Sequence, residues 1–183
     1  MRSFRLFLPI LVVALLPIAA FAGTTLSGGE GMTSTVMQEG QSSFSGLGLR
    51  ANFRSDRLIK GFDFTSGLEY WRNNSTVQVQ PFKIRSERRD ATMAFHGRYF
   101  FHHEGITPYV GAGFGIHFLT SEVSAPALGV NHAEESVIKG GLSALTGLSF
   151  ALSGRLKNFV ELEYHHVTDF RQLKLNWGIT YSP

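Results

Sequence analysis

The chain contains no cysteine. That excludes disulfides, thiolate metal sites, thiol nucleophiles and a lipid anchor on cysteine. Beyond the first residues it has no apolar run approaching the roughly 20 residues a membrane helix needs. It also lacks a strong charge of one sign. Lys and Arg number 17 against 14 Asp and Glu. Residues 1–22 hold two of those cations and no acid, which leaves 15 against 14 in the remainder. The basic balance is therefore no argument for nucleic acid. No phosphate-binding loop, zinc pattern or nucleic-acid motif appears, so no cofactor, metal or nucleic-acid partner is expected.

What is present begins with an export address. Arg2 and Arg5 precede an apolar stretch from Leu6 to Ala20, and Ala20-Phe21-Ala22 supplies a small-x-small site. Residues 1–22 read as a signal peptide cleaved after Ala22. The rest is rich in Gly (20) and Phe (16), a composition that favours strands over helices.

A period of two runs through nearly all of it. Leu173, Leu175, Trp177, Ile179 and Tyr181 alternate with Lys174, Asn176, Gly178 and Thr180. The same alternation recurs around Val160–Tyr164, Leu142–Leu152, Val110–Phe118, Phe95–Phe101, Phe62–Tyr70 and Leu47–Phe53. Each such stretch is a strand with one apolar face. Five of them carry Gly-apolar-any-apolar, starting at Gly46, Gly67, Gly113, Gly147 and Gly178. Each of these glycines falls on the polar face, where it leaves room for a long neighbour in a narrow interior.

Links at Ser55-Asp56, His102 to Gly105, Ser153 to Arg155 and Val167 to Phe170 are short. Residues 72–90 and 120–138 are polar and read as long loops. Tight turns at one end and longer loops at the other are the asymmetry of an outer-membrane barrel. With both chain ends in the periplasm the strand count must be even. Residues 23–41 must then hold a first strand despite Gly28, Gly29 and Gly31, with 42–183 forming the remainder. The expected fold is all-β: an eight-stranded antiparallel transmembrane β-barrel with a polar, side-chain-filled interior.

Orientation rests on the polar face. Arg50, Asp63, Glu69, Arg98, Glu161, Glu163 and Lys174 lie on it with mixed signs, as expected of a lumen where charges pair. Phe53, Tyr70, Tyr99, Phe101, Phe118, Tyr164 and Tyr181 lie on the apolar face near strand ends, where membrane interfaces favour aromatic rings. The opposite orientation gives a soluble, lipocalin-like periplasmic carrier.

Thr107-Pro108-Tyr109-Val110-Gly111-Ala112-Gly113-Phe114-Gly115 resembles a strand of the small outer-membrane barrels related to the membrane domain of outer-membrane protein A. Leu173 to Tyr181 is similar to that family's final strand, which usually ends on an aromatic; here Ser182 and Pro183 follow Tyr181. The resemblance implies outer-membrane residence in contact with lipid and lipopolysaccharide. It also implies insertion by the barrel assembly machinery through Leu173 to Tyr181, a monomer, and a structural or surface-contact role, with passage of small solutes a further option.

Three local candidates remain. His165-His166-Val167-Thr168-Asp169 is faintly similar to the His-x-Ser-Asn motif of lipid A deacylase barrels, with His166 as base and Thr168 in place of serine. The bland reading is a polar strand end. Arg85, Arg88 and Arg89 could hold lipopolysaccharide phosphates, since Arg pairs them bidentately; the bland reading is a solvated loop base. His102-His103-Glu104 has metal-ligand chemistry, but adjacent residues of a strand point to opposite faces.

Overall fold

A computed structural model describes residues 24–38, 43–55, 59–79, 82–101, 105–126 and 130–183. The expected signal peptide, residues 1–22, and His102, His103 and Glu104 lie outside the described residues. Eight strands follow in order: β1 (Thr24–Gln38), β2 (Phe44–Ser55), β3 (Phe62–Val79), β4 (Phe82–Phe100), β5 (Ile106–Ala125), β6 (Val130–Ser153), β7 (Leu156–Val167) and β8 (Phe170–Tyr181). Each pairs antiparallel with its neighbours, and β1 closes on β8 from Gly29↔Tyr181 to Gln38↔Gln172. The glycine-rich first segment is therefore a strand. Its backbone bonds to partners on both sides, and closure overrides its poor propensity.

Alternation sets the two surfaces. β7 reads buried at Phe159, Glu161, Glu163, His165 and Val167, and exposed at Val160, Leu162, Tyr164 and His166. The outer surface is a belt of exposed apolar side chains, including Leu49, Phe114, Leu142, Leu162, Leu175 and Trp177. Such a belt is far larger than any apolar patch water tolerates and matches the lipid-facing band of a transmembrane barrel. Tyr99, Phe101 and Tyr181 ring the end that carries the short turns, and Tyr70 and Phe118 lie towards the other. One aromatic departs from expectation. Phe53 is only 5% exposed, opposite the register shift between Leu26 and Gly28. The bulge breaks the alternation, because an extra residue re-aims the side chains around it.

The repeated glycines have the role the pattern implied. A Cβ at Gly67 would lie 2.5 Å from Arg50 Cγ, at Gly113 2.4 Å from His96 Cδ2, at Gly147 2.4 Å from the Tyr109 ring, and at Gly178 2.7 Å from the Phe159 ring. Each glycine makes way for the large inward side chain of a neighbouring strand.

The two polar segments read as loops are instead strand over residues 72–79, 82–90, 120–125 and 130–138. β3 pairs with β4 up to Val79↔Phe82, and β5 with β6 up to Ala125↔Val130. β4 and β5 stay paired up to Arg85↔Ser124. Yet β2 pairs with β3 only as far as Gly46↔Trp71, and β7 with β6 only as far as Gly141↔Val167. Past those rows β3 to β6 form a four-stranded sheet that rises from one side of the rim. At ~3.3 Å per residue, the stretch 72–79 adds about 26 Å.

Leu162 is exposed at mid-strand between inward Glu161 and Glu163. Leu162→Arg should cost about 2–4 kcal/mol in urea unfolding from a bilayer, as for a cation at the membrane midplane. Thr76→Arg, on the projecting sheet, should stay within ~0.5 kcal/mol. Equal penalties would contradict the assigned faces.

Candidate functional site

The lumen is stacked in layers fixed by strand register. At the end where the sheet projects, Val36, Phe44 and Trp71 pack together, with Leu119 against them. Phe44 and Trp71 rings sit 4.5 Å apart. Below them His117 Nδ1 lies 2.8 Å from Asp90 Oδ2, and Thr92 Oγ1 lies 3.1 Å from Asp90 Oδ1.

The central layer is ionic. Arg50 donates from Nη1 to Glu161 (2.8 Å), and from Nη2 to Glu69 (2.9 Å) and Glu163 (3.1 Å). Lys174 Nζ donates to the other Glu69 oxygen at 2.6 Å. Asn176 Nδ2 donates to both Glu161 and Glu163 (3.0 and 3.1 Å), and Tyr109 Oη to Glu161 at 3.0 Å. His96 Nε2 and His165 Nε2 lie 2.7 and 2.5 Å from Glu163 Oε1.

The next layer joins Arg98 to Glu30 through two bonds, of 3.1 and 2.7 Å, with Asn52 touching both. The Arg98 guanidinium lies over the Phe100 and Tyr109 rings. At the short-turn rim Asp63 holds Arg54 at 3.0 Å.

Six of the seven expected lumen charges thus meet in buried pairs. Asp63 is the exception. It is inward but bonds rim-level Arg54, whose side chain is 60% exposed. Sequence reasoning missed Glu30 and Asp90 because one sits in a glycine run and the other at the end of a presumed loop. The alternation through Phe95–Phe101 and Val110–Phe118 puts His96 and His117 on the polar face but assigns them no partners. The arrangement holds charge in a packed interior: in the central layer Arg50, His96, Glu161, Glu163 and His165 have side chains at zero exposure.

No hydrogen bond joins His166 to Thr168 among the described residues. His166 points outward from β7 and Thr168 sits exposed in the turn before β8, rather than on a strand. Asp169, which stands where the lipid A deacylase motif has Asn, is paired with Lys139. The arginines do not form one patch either. Arg89 bonds Glu87 and, at 3.4 Å, Glu122, while Arg72 bonds Glu87 at 2.6 Å. By alternation Arg85 shares that face and Arg88 lies on the other; Arg88 and Arg89 both line a cleft of about 300 Å³ with Trp71, Leu119 and Phe170.

No family model and no curated protein matches the sequence. Solved structures do match the fold. A major outer membrane protein from Thermus thermophilus aligns at TM-score 0.64 and 11% identity, covering 86% of this chain and 99% of that one. The attachment invasion locus protein Ail of Yersinia pestis, solved with the heparin analogue sucrose octasulfate, aligns at 0.57 and 16%, over 88% and 99%. Neisserial surface protein A aligns at 0.56 and 18%, over 88% and 99%. The chain therefore has the fold of the closed, polar-cored membrane barrels. Within that class it is a small eight-stranded outer-membrane-type barrel, the fold that the resemblance implied.

Arg98→Met should cost about 3–5 kcal/mol, because Glu30 is left buried without its cation. Adding Glu30→Gln should restore part of that loss in the same unfolding assay. Asp63→Asn, which breaks a rim pair, should cost no more than about 1 kcal/mol.

Proposed function

We propose that the chain is an outer-membrane surface protein: a closed barrel that anchors a projecting four-stranded sheet, with the sheet as the working part. One observation carries the reading. The barrel strands end together at Gln38, Phe44, Val167 and Phe170 on one flank, whereas β3 to β6 continue well past that rim as a paired sheet. A barrel that only filled the membrane would need none of this extension.

The lumen argues against a pore role. Its section is filled by interlocked side chains, and an eight-stranded barrel has no spare width. The exposed sheet face offers alternating charge, Arg72, Glu87, Arg89 and Glu122, instead of an apolar groove. That suits contact with polar, charged surface molecules. Arg85, which forms no ion pair among the described residues, is the cation on that face best placed to meet a lipopolysaccharide phosphate, with Arg88 on the opposite face. Export through residues 1–22, insertion through Leu173 to Tyr181 and a monomeric state belong to the same proposal.

The test is to shorten both extensions, replacing 73–88 and 121–136 with tight turns. The shortened barrel should still fold, insert and shift on unheated gels, while binding of cells to extracellular matrix or serum components falls to background. Unchanged binding would reject the sheet as the working part. In planar bilayers the intact protein should give almost no current. A steady large conductance would replace this reading with a channel.

A further inference from the structure

The buried lumen is short of positive charge. Apart from Asp63 at the rim, which is paired with Arg54, its buried acids are Glu30, Glu69, Asp90, Glu161 and Glu163, and its buried permanent cations are Arg50, Arg98 and Lys174. Arg98 is matched by Glu30. In the central layer Arg50 and Lys174 face three carboxylates. With neutral imidazoles that layer is one charge short, and the lumen as a whole two. Uncompensated buried charge of this kind is costly enough that another cation is drawn in.

Transition-metal ligands converge beside that deficit. His96 on β4 faces Glu163 and His165 on β7 across the lumen, and their ligand atoms all lie within 4.8 Å of one another. Both Nε2 atoms are directed at the same Glu163 oxygen. The supports are in place. His96 Nδ1 lies 3.4 Å from Thr65 Oγ1, and Glu163 Oε2 is held by Arg50 and Asn176. Two nearby imidazole nitrogens, His165 Nδ1 and His117 Nε2, are buried without a hydrogen-bond partner. Two imidazoles and one carboxylate, with a further position open, suit zinc and its neighbours better than calcium or magnesium. Bonds of ~2.0–2.1 Å in a tetrahedron set donors about 3.3 Å apart, so the imidazole nitrogens of His96 and His165, now 2.7 and 2.5 Å from the Glu163 oxygen, must each draw back by less than about 1 Å to admit the ion.

We propose that His96, Glu163 and His165 form a buried binding site for a zinc-class dication, which supplies the charge the lumen lacks. All three ligands are fully buried, so the ion enters as the strands close, and metal affinity becomes folding stability.

The test uses the tag-free, full barrel refolded from urea into detergent, once with zinc and once with EDTA, then desalted. Elemental analysis should find about one zinc per barrel after refolding with the metal. That preparation should melt higher than the EDTA preparation. Cobalt in place of zinc should give visible d–d bands. His96→Gln and His165→Gln keep an N–H for Glu163, and each should lose the metal and the melting shift. His166→Asn, on the outer surface, should keep both. Folding is checked by gel migration without heating. If either lumen variant does not fold, the comparison of zinc with EDTA in the unaltered chain still decides. Absence of metal from the refolded chain overturns the site. Retention of zinc at the unaltered level in either folded lumen variant also overturns it.

Discussion

Arg50 is the residue on which the interior depends. One guanidinium joins carboxylates from β3 and β7, two strands on opposite sides of its own β2 in the closed order. Each contact is charge-assisted and fully enclosed, where it is electrostatically stronger than in water. The reverse also holds. None of these four charges has water to fall back on, so the set is stable only when complete. Glycine makes this possible. Gly67 on the adjoining strand leaves its Cβ space to the Arg50 stem. The same division of labour, a bare position beside an oversized one, serves His96, Tyr109 and Phe159.

This explains why the fold was readable from the chain. A barrel buries one face in lipid and the other in its own lumen, so both faces select side chains strongly and period two survives in almost every strand. Leu173 to Tyr181 and Leu142 to Leu152 carried enough of that signal to orient every neighbour. The segment 24–38 lacked it, since Gly29 and Gly31 stand where lipid-facing bulk would be expected. Only the even strand count called for it.

The parts that were not readable share a cause. Residues 72–76 and 134–136 are strand, yet both their faces meet water, so polar residues fill both and alternation vanishes. Pairing along the whole ladder, not burial, holds them. The lumen partners were half legible for a related reason. Sequence tells that Glu163 and His96 point inward, but their meeting depends on barrel closure, which brings together residues 67 positions apart. The local motif His165 to Asp169 drew attention by adjacency, and adjacency on a strand sends neighbours to opposite faces.

The projecting sheet has one mechanical consequence. Its strands run without a break from the membrane-spanning rows to the outer tips at Val79 and Phe82. In an antiparallel ladder the hydrogen bonds lie across the strands. A pull on those tips along the barrel axis therefore runs along the strands and loads many rows together in shear. Peeling, which would break rows singly, requires a sideways force. The sheet is thus a stiff stalk under tension, and the load ends in the plugged barrel, whose lumen salt bridges resist deformation of the wall.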